Sequence, residues 1–173
     1  MFDPKFHWGI TNPPNFADQH SDMVFVSIRN IEDSKMAKTK TFVSYDHSED
    51  AHYKRLLQAW DANPEFDFEF DSRGPNVPIN SSDAAVVKAA LVRMMKDATH
   101  LLVLVGEKSA QSSWMQWEIE RAKMDDTKLK LAAVKLGKSN VTPPGLLAVG
   151  TSWATSFERD RIVEALRSAT NGY

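Results

Sequence analysis

The run Ser112-Ser113-Trp114-Met115-Gln116-Trp117-Glu118-Ile119-Glu120 gathers hydroxyls, indoles and carboxylates within nine positions. On a helix turning about 100° per residue, Met115, Ile119 and Ala122 share one arc. Gln116, Glu120 and Lys123 fall opposite, on a wet face. Glu118 joins neither group. It falls between Trp114 and the Ala122–Met115 arc, at the margin of the buried face. A carboxylate there is costly to desolvate unless it is paired or put to use. Two readings stand side by side: an acid that does chemistry, or a Glu paired with a local Arg or Lys at the rim.

Other chemistries find no support in the residues. The chain has no cysteine, which excludes a disulfide scaffold, a thiolate metal site and a cysteine nucleophile. The five histidines show no metal-ligand spacing. G-x-G-x-x-G, P-loop and G-x-S-x-G patterns are absent. Lys plus Arg is 21 against Asp plus Glu 23, a net charge of -2, so no basic footprint points to nucleic acid or an anionic membrane. The lysines at 123, 128, 130, 135 and 138 read as a solvated edge diluted by Asp125 and Asp126. No apolar run approaches the roughly 18 residues of a membrane span. At 173 residues the chain has room for one domain with a real core. The N-terminus carries no secretory pattern, and a cytoplasmic protein is the expectation.

The elements that must position Glu118 alternate in type. Thr41 to Tyr45 is β-branched and aromatic, a strand. Ser48 is set to cap the helix after it, with Tyr53, Leu56, Leu57 and Trp60 on one face. Phe66, Phe68 and Phe70 alternate with Asp67, Glu69 and Asp71, a half-wet strand that belongs at a sheet edge. Ser82 is set to cap a second helix with the stripe Val87, Ala90, Leu91, Met94 and Met95. Leu101 to Val105 is a continuous apolar run, a central strand buried on both faces. The helix from about Ser113 to Met124 follows, then a strand at Leu131 to Leu136. A short strand or turn lies within 149–157, and Ile162, Ala165, Leu166 and Ala169 mark a last helix. The order predicts a doubly wound α/β fold with a parallel sheet 2-1-3-4-5 and helices on both faces. Ligands of such folds bind beyond the C-terminal strand ends, where Glu118 falls.

Residues 1–35 differ from the rest. Proline-rich coil runs to Asp22, an isolated strand candidate follows at Met23 to Ile28, and Met36 looks like a second start. The expected organisation is an irregular extension over 1–35 and a domain over 36–173.

Three segments carry a resemblance: Phe42-Val43-Ser44-Tyr45-Asp46-His47-Ser48-Glu49-Asp50, the strand Leu101 to Val105 with its exit Gly106-Glu107, and Ser113-Trp114-Met115-Gln116-Trp117-Glu118-Ile119. Residues from about 40 to 168 resemble the TIR domain superfamily. More closely, they are similar to the TIR-like, signal-producing subunit of Thoeris anti-phage systems. The resemblance implies a flavodoxin-like fold and cleavage of the nicotinamide–ribose bond of NAD⁺, a substrate and not a cofactor. It implies an ADP-ribose-derived, often cyclic product and Glu118 as the catalytic glutamate. Many NAD-cleaving relatives have Cys after the Trp, where this chain has Met115; the chemistry does not require that thiol.

Nicotinamide leaves as a neutral molecule, and the transition state puts positive charge on the ribose. One carboxylate against that charge suffices. Phe42, Tyr45 and Trp114 are candidate aromatic walls, with core packing the plain alternative for Phe42 and Trp114. Asp46 and Ser48 are candidates to hold ribose or phosphate, with helix capping the alternative for Ser48. Arg73, in the loop after the second strand, either clamps phosphate, touches a neighbouring subunit or, as the plainer reading, is simply solvated. The expected partners are NAD⁺, further copies of the chain through TIR surfaces, and a separate nucleotide-sensing effector. The competing class is a TIR module that only assembles. A receiver domain fits poorly, because Gly106 stands where an Asp would end the third strand.

Overall fold

The computed structural model describes residues 38–71 and 79–173. The chain separates into two units, Met1–Met36 and Ala37–Tyr173, and everything below concerns the second. The strand candidate at 23–28, the extension 1–35 and Arg73 lie outside the described residues.

Five strands form one sheet: β1 (Thr39–Ser44), β2 (Phe68–Asp71), β3 (His100–Val105), β4 (Lys130–Lys135) and β5 (Ser152–Ala154). Every pairing is parallel, and the order is β2-β1-β3-β4-β5. The fold is thus the flavodoxin-like one expected. Among the described residues four helices accompany it: α1 (Ala51–Asp61), α2 (Ala84–Asp97), α3 (Ser113–Ala122) and α4 (Arg159–Ser168). Between β4 and β5 the crossover carries only a 3₁₀ turn at Pro144–Leu146.

Alternation along the strands sorts the core into two layers. Val43, Leu102, Leu104 and Val134 pack with Leu57 of α1 and with Ile162 and Leu166 of α4. Phe42, Leu101, Val103 and Leu131 pack with Leu91 and Met95 of α2 and with Met115 and Ile119 of α3. All six residues of β3 are buried, as a strand covered on both faces requires. Strand β2 is the edge, with Phe68 and Phe70 inward and Glu69 outward.

The structure corrects four local expectations. Ser48 caps nothing: Asp50 holds the N-cap position of α1 without a capping hydrogen bond. Ser82 is likewise displaced, because α2 starts at Ala84 behind Asp83. Leu56 is 45% exposed, since the inward arc of α1 is centred on Leu57 with Tyr53 and Trp60 beside it. Ala90 is exposed, because the inward arc of α2 runs through Ala84, Leu91 and Met95.

The order of strands reverses between β1 and β3, which leave toward opposite edges of the sheet. Their C-terminal ends therefore frame a crevice. The β3–α3 loop walls it. Ser109 is fully buried there; its Oγ accepts from the Gly106 N–H at 2.8 Å and donates to the Leu104 carbonyl at 3.2 Å. Asn140 donates to the Val105 carbonyl at 2.8 Å, tying the same strand end from the other side.

Candidate active site

Helix α3 starts cleanly because Ser112 is a true N-cap, its Oγ accepting from the Met115 N–H. From that start, the register puts Met115, Ile119 and Ala122 in the core and Gln116 and Glu120 in solvent. Glu118 goes deeper than the rim position expected of it. It is 3% exposed. Its partner is not an Arg or Lys but Ser44, the last residue of β1, whose hydroxyl donates to Oε2 at 2.5 Å. Burial pushes the Glu118 carboxyl up to about 8, and the Ser44 hydrogen bond restrains the shift without cancelling it.

A cavity of about 230 Å³ opens onto Glu118. Its lining comprises Tyr45, Asp46, His47, Ser48, Ser112 and Trp114 beside the carboxyl. Five of the six residues expected at a site thus come together. The sixth, Phe42, does not. Phe42 shares the face of β1 with Ser44 but lies two residues deeper along the strand, and it is fully buried among the core residues of α2 and α3. Met115 also lies in that core and not on the cavity.

Two aromatic groups shape the walls. Tyr45 packs against His47 with ring centroids 4.3 Å apart, and its Oη lies 3.2 Å from His47 Nδ1. Burial, then the charge of Glu118, pushes the Tyr45 phenol up to about 12. Trp114 meets Trp117 edge to face at 5.7 Å, and the Lys88 ammonium of α2 lies 5.9 Å and 5.6 Å from the two ring centroids. Asp46 Oδ1 accepts from both the N–H and the hydroxyl of Ser48, at 2.9 and 2.5 Å. That turn explains why Ser48 is unavailable to α1.

Sequence reasoning did not single out Ser44, His47 or Ser112. For Ser44 a signal existed: a hydroxyl on the core-facing parity of an apolar strand, at its exit. Among the described residues no group of three His, Asp or Glu gathers to hold a metal ion. A wider depression of about 510 Å³, lined by Asp71, Ala90, Arg93, Met94, Lys96 and Asp97, has neither a buried carboxylate nor an aromatic wall.

A parallel 2-1-3-4-5 sheet with a buried carboxylate on the helix after its third strand, facing the exit of the first, defines a TIR-like domain. The family model for the TIR-like domain of the Thoeris protein ThsB matches residues 42–140, more than half of the chain, and the protein belongs to that family. Its role accordingly lies in anti-phage defence. No curated protein matches the chain. Among the described residues no helix is long and apolar enough to cross a membrane.

Proposed function

We propose that the protein cleaves the nicotinamide–ribose bond of NAD⁺ and turns the ADP-ribose left behind into a nucleotide signal for a separate effector, a cyclic one because a ribose hydroxyl can replace water as acceptor. The observation that carries this reading is a carboxyl 97% withdrawn from solvent, held by Ser44, at the wall of a cavity with aromatic sides.

Burial favours the protonated form of such a carboxyl. A pyridinium cation placed beside it favours the charged form, so binding releases the proton. The carboxylate then faces the ribose as the bond to nicotinamide breaks and positive charge grows there. It acts in a poorly solvated setting where that attraction counts most. A module that only assembles gains nothing from a carboxyl so costly to bury.

The cavity is smaller than the about 300–1,000 Å³ typical of pockets that enclose a whole ligand, so it takes one end of a dinucleotide. The remainder has room in an adjoining depression of about 480 Å³ that shares Asp46 and Ser112 with it.

Glu118→Gln keeps the shape and removes the charge. We expect nicotinamide release to fall on the order of 10²-fold or more, while Glu120→Gln stays near wild type. Glu120 is exposed, and its contact is an ion pair with Lys123. The measurement is nicotinamide release, or NAD⁺ loss in cells after phage challenge, at matched soluble expression. Equal activity of wild type and Glu118→Gln refutes the reading in favour of an assembly module.

A further inference from the structure

Breaking the nicotinamide bond needs no proton acceptor, but the second half of the reaction does. Whatever hydroxyl attacks the ribose carbon, from water or from the same nucleotide, must lose a proton. Three titratable side chains line the cavity besides Tyr45: Glu118, Asp46 and His47. Glu118 is committed to Ser44 and, on the reading above, to the ribose cation. Asp46 Oδ1 is committed twice to Ser48. Tyr45, held high by burial, is no base.

His47 is different. Its Nδ1 lies 3.2 Å from the Tyr45 hydroxyl and its ring packs tilted against the phenol at 4.3 Å between centroids, which orients it. Among the described residues its Nε2 has no hydrogen-bond partner. When Nδ1–H donates to Tyr45 Oη, Nε2 is left with its lone pair.

We propose that His47 is a catalytic residue of the transfer step, taking the proton of the attacking hydroxyl; this rests on the NAD⁺-cleavage reading. The step balances. The carbon–nitrogen bond breaks and its electron pair leaves with nicotinamide, which becomes neutral. The acceptor oxygen then bonds to the ribose carbon, and its proton passes to Nε2. The imidazolium returns that proton to solvent, to which His47 is open. Burial first, then the charge of Lys54, hold the imidazole below its ordinary value, against the opposing pull of Asp46, so the ring is neutral and able to accept at pH 7.

A neutral pyridine offers a test, because its ring nitrogen attacks the same ribose carbon with no proton to lose. The protein is incubated with NAD⁺ and 3-acetylpyridine. Exchanged dinucleotide, free ADP-ribose and cyclised product are measured separately, so that water and an internal hydroxyl are told apart as acceptors. In His47→Ala and His47→Gln, the ratio of exchange to hydroxyl transfer should rise at least tenfold, through loss of transfer. Glu118→Gln should lose exchange and transfer together. Thermal melts of the His47 variants should stay close to wild type, since His47 lies at the surface on a turn and belongs to neither core layer. An unchanged ratio, whether both rates fall in parallel or neither falls, overturns the role of His47. A wild type that neither cleaves nor exchanges, even when clustered, refutes the NAD⁺ reading itself, and the role falls with it.

Discussion

At the scale of single residues, the proposed chemistry turns on how tightly Glu118 holds its proton. Two influences oppose each other: burial keeps the proton on, and the Ser44 hydroxyl favours its loss. Removing the hydroxyl removes only the second. In Ser44→Ala the Glu118 carboxyl should therefore titrate above the value of about 8 that it has in the intact protein. Activity that needs the carboxylate rises with pH, so the alkaline-going limb of the kcat/KM profile should move to higher pH. We expect a loss of roughly tenfold at pH 7 that largely recovers by about pH 9. A loss that is the same at both pH values would falsify the account and leave Ser44 as a packing residue. The residue scale also shows what the sequence made legible. Glu118 was found because helical periodicity singles out a polar side chain near an apolar arc. Ser44 and His47 were not, because their importance depends on which strand end faces α3, and that is a tertiary fact. Phe42 misled for a related reason: an aromatic near a strand exit reads as a wall, but two residues of depth put it in the core.

At the scale of elements, the start of α1 is the weak joint beneath the site. Asp50 holds the N-cap position without capping, is 6% exposed, and its Oδ2 is buried without a partner among the described residues. Its carboxyl sits against Gly106, where an added Cβ would lie 2.2 Å from Oδ2. Only a residue without a side chain lets the exit of β3 pass so close. Burial, then the charges of Asp46 and Glu49, push the Asp50 carboxyl up to about 6. The sign follows from linkage: between its ordinary value of 3.8 and about 6, the native state binds more protons than the unfolded state, so stability falls as pH rises through that window. Asp50→Asn removes the penalty. Its Tm should exceed that of wild type by roughly 2–4 °C above pH 6, with the difference closing below about pH 4. Parallel curves for the two proteins from pH 4 to 7 would sink the idea. Element types and order were readable because strand and helix periods differ. The caps were not: Ser48 and Ser82 are the right residue type, but Asp46 captures the first and the helix begins later than the second.

At the scale of the whole molecule, two expectations concern what lies around the sheet. The stretch 1–35 offers no amphipathic stripe, so a protein starting at Met36 should stay soluble with a Tm within a few degrees of the full chain. A fall of 10 °C or more, roughly several kcal/mol at this size, would show that the extension is integral. The second concerns assembly. TIR-like sites are expected to gain from a neighbour's loop, and the segment after β2, most of it outside the described residues, is the proposed contact. Dilute monomer should release nicotinamide slowly, and tethering or crowding should raise the rate at least tenfold. Full activity at nanomolar concentration, with light scattering showing a monomer, would count against that contact.

The Ser44–Glu118 hydrogen bond spans 74 positions of the chain, and this sets a clock. Strand β1 pairs on one side with β2 and on the other with β3, so its second neighbour is made well after the first. At about 5–20 residues per second of synthesis, Glu118 follows Ser44 by roughly 4–15 s. Throughout that interval a nascent chain holds Ser44 but not Glu118, and until β3 is made β1 has an unpaired side. Parallel pairings between distant segments also close slowly, because the loop entropy is lost before the contacts form. On the NAD⁺ reading proposed above, a chain cut short before Glu118 lacks the carboxyl that the reaction needs, and a misfolded one holds it away from Ser44. On that reading activity comes only with completed topology, when β1 and α3 have met.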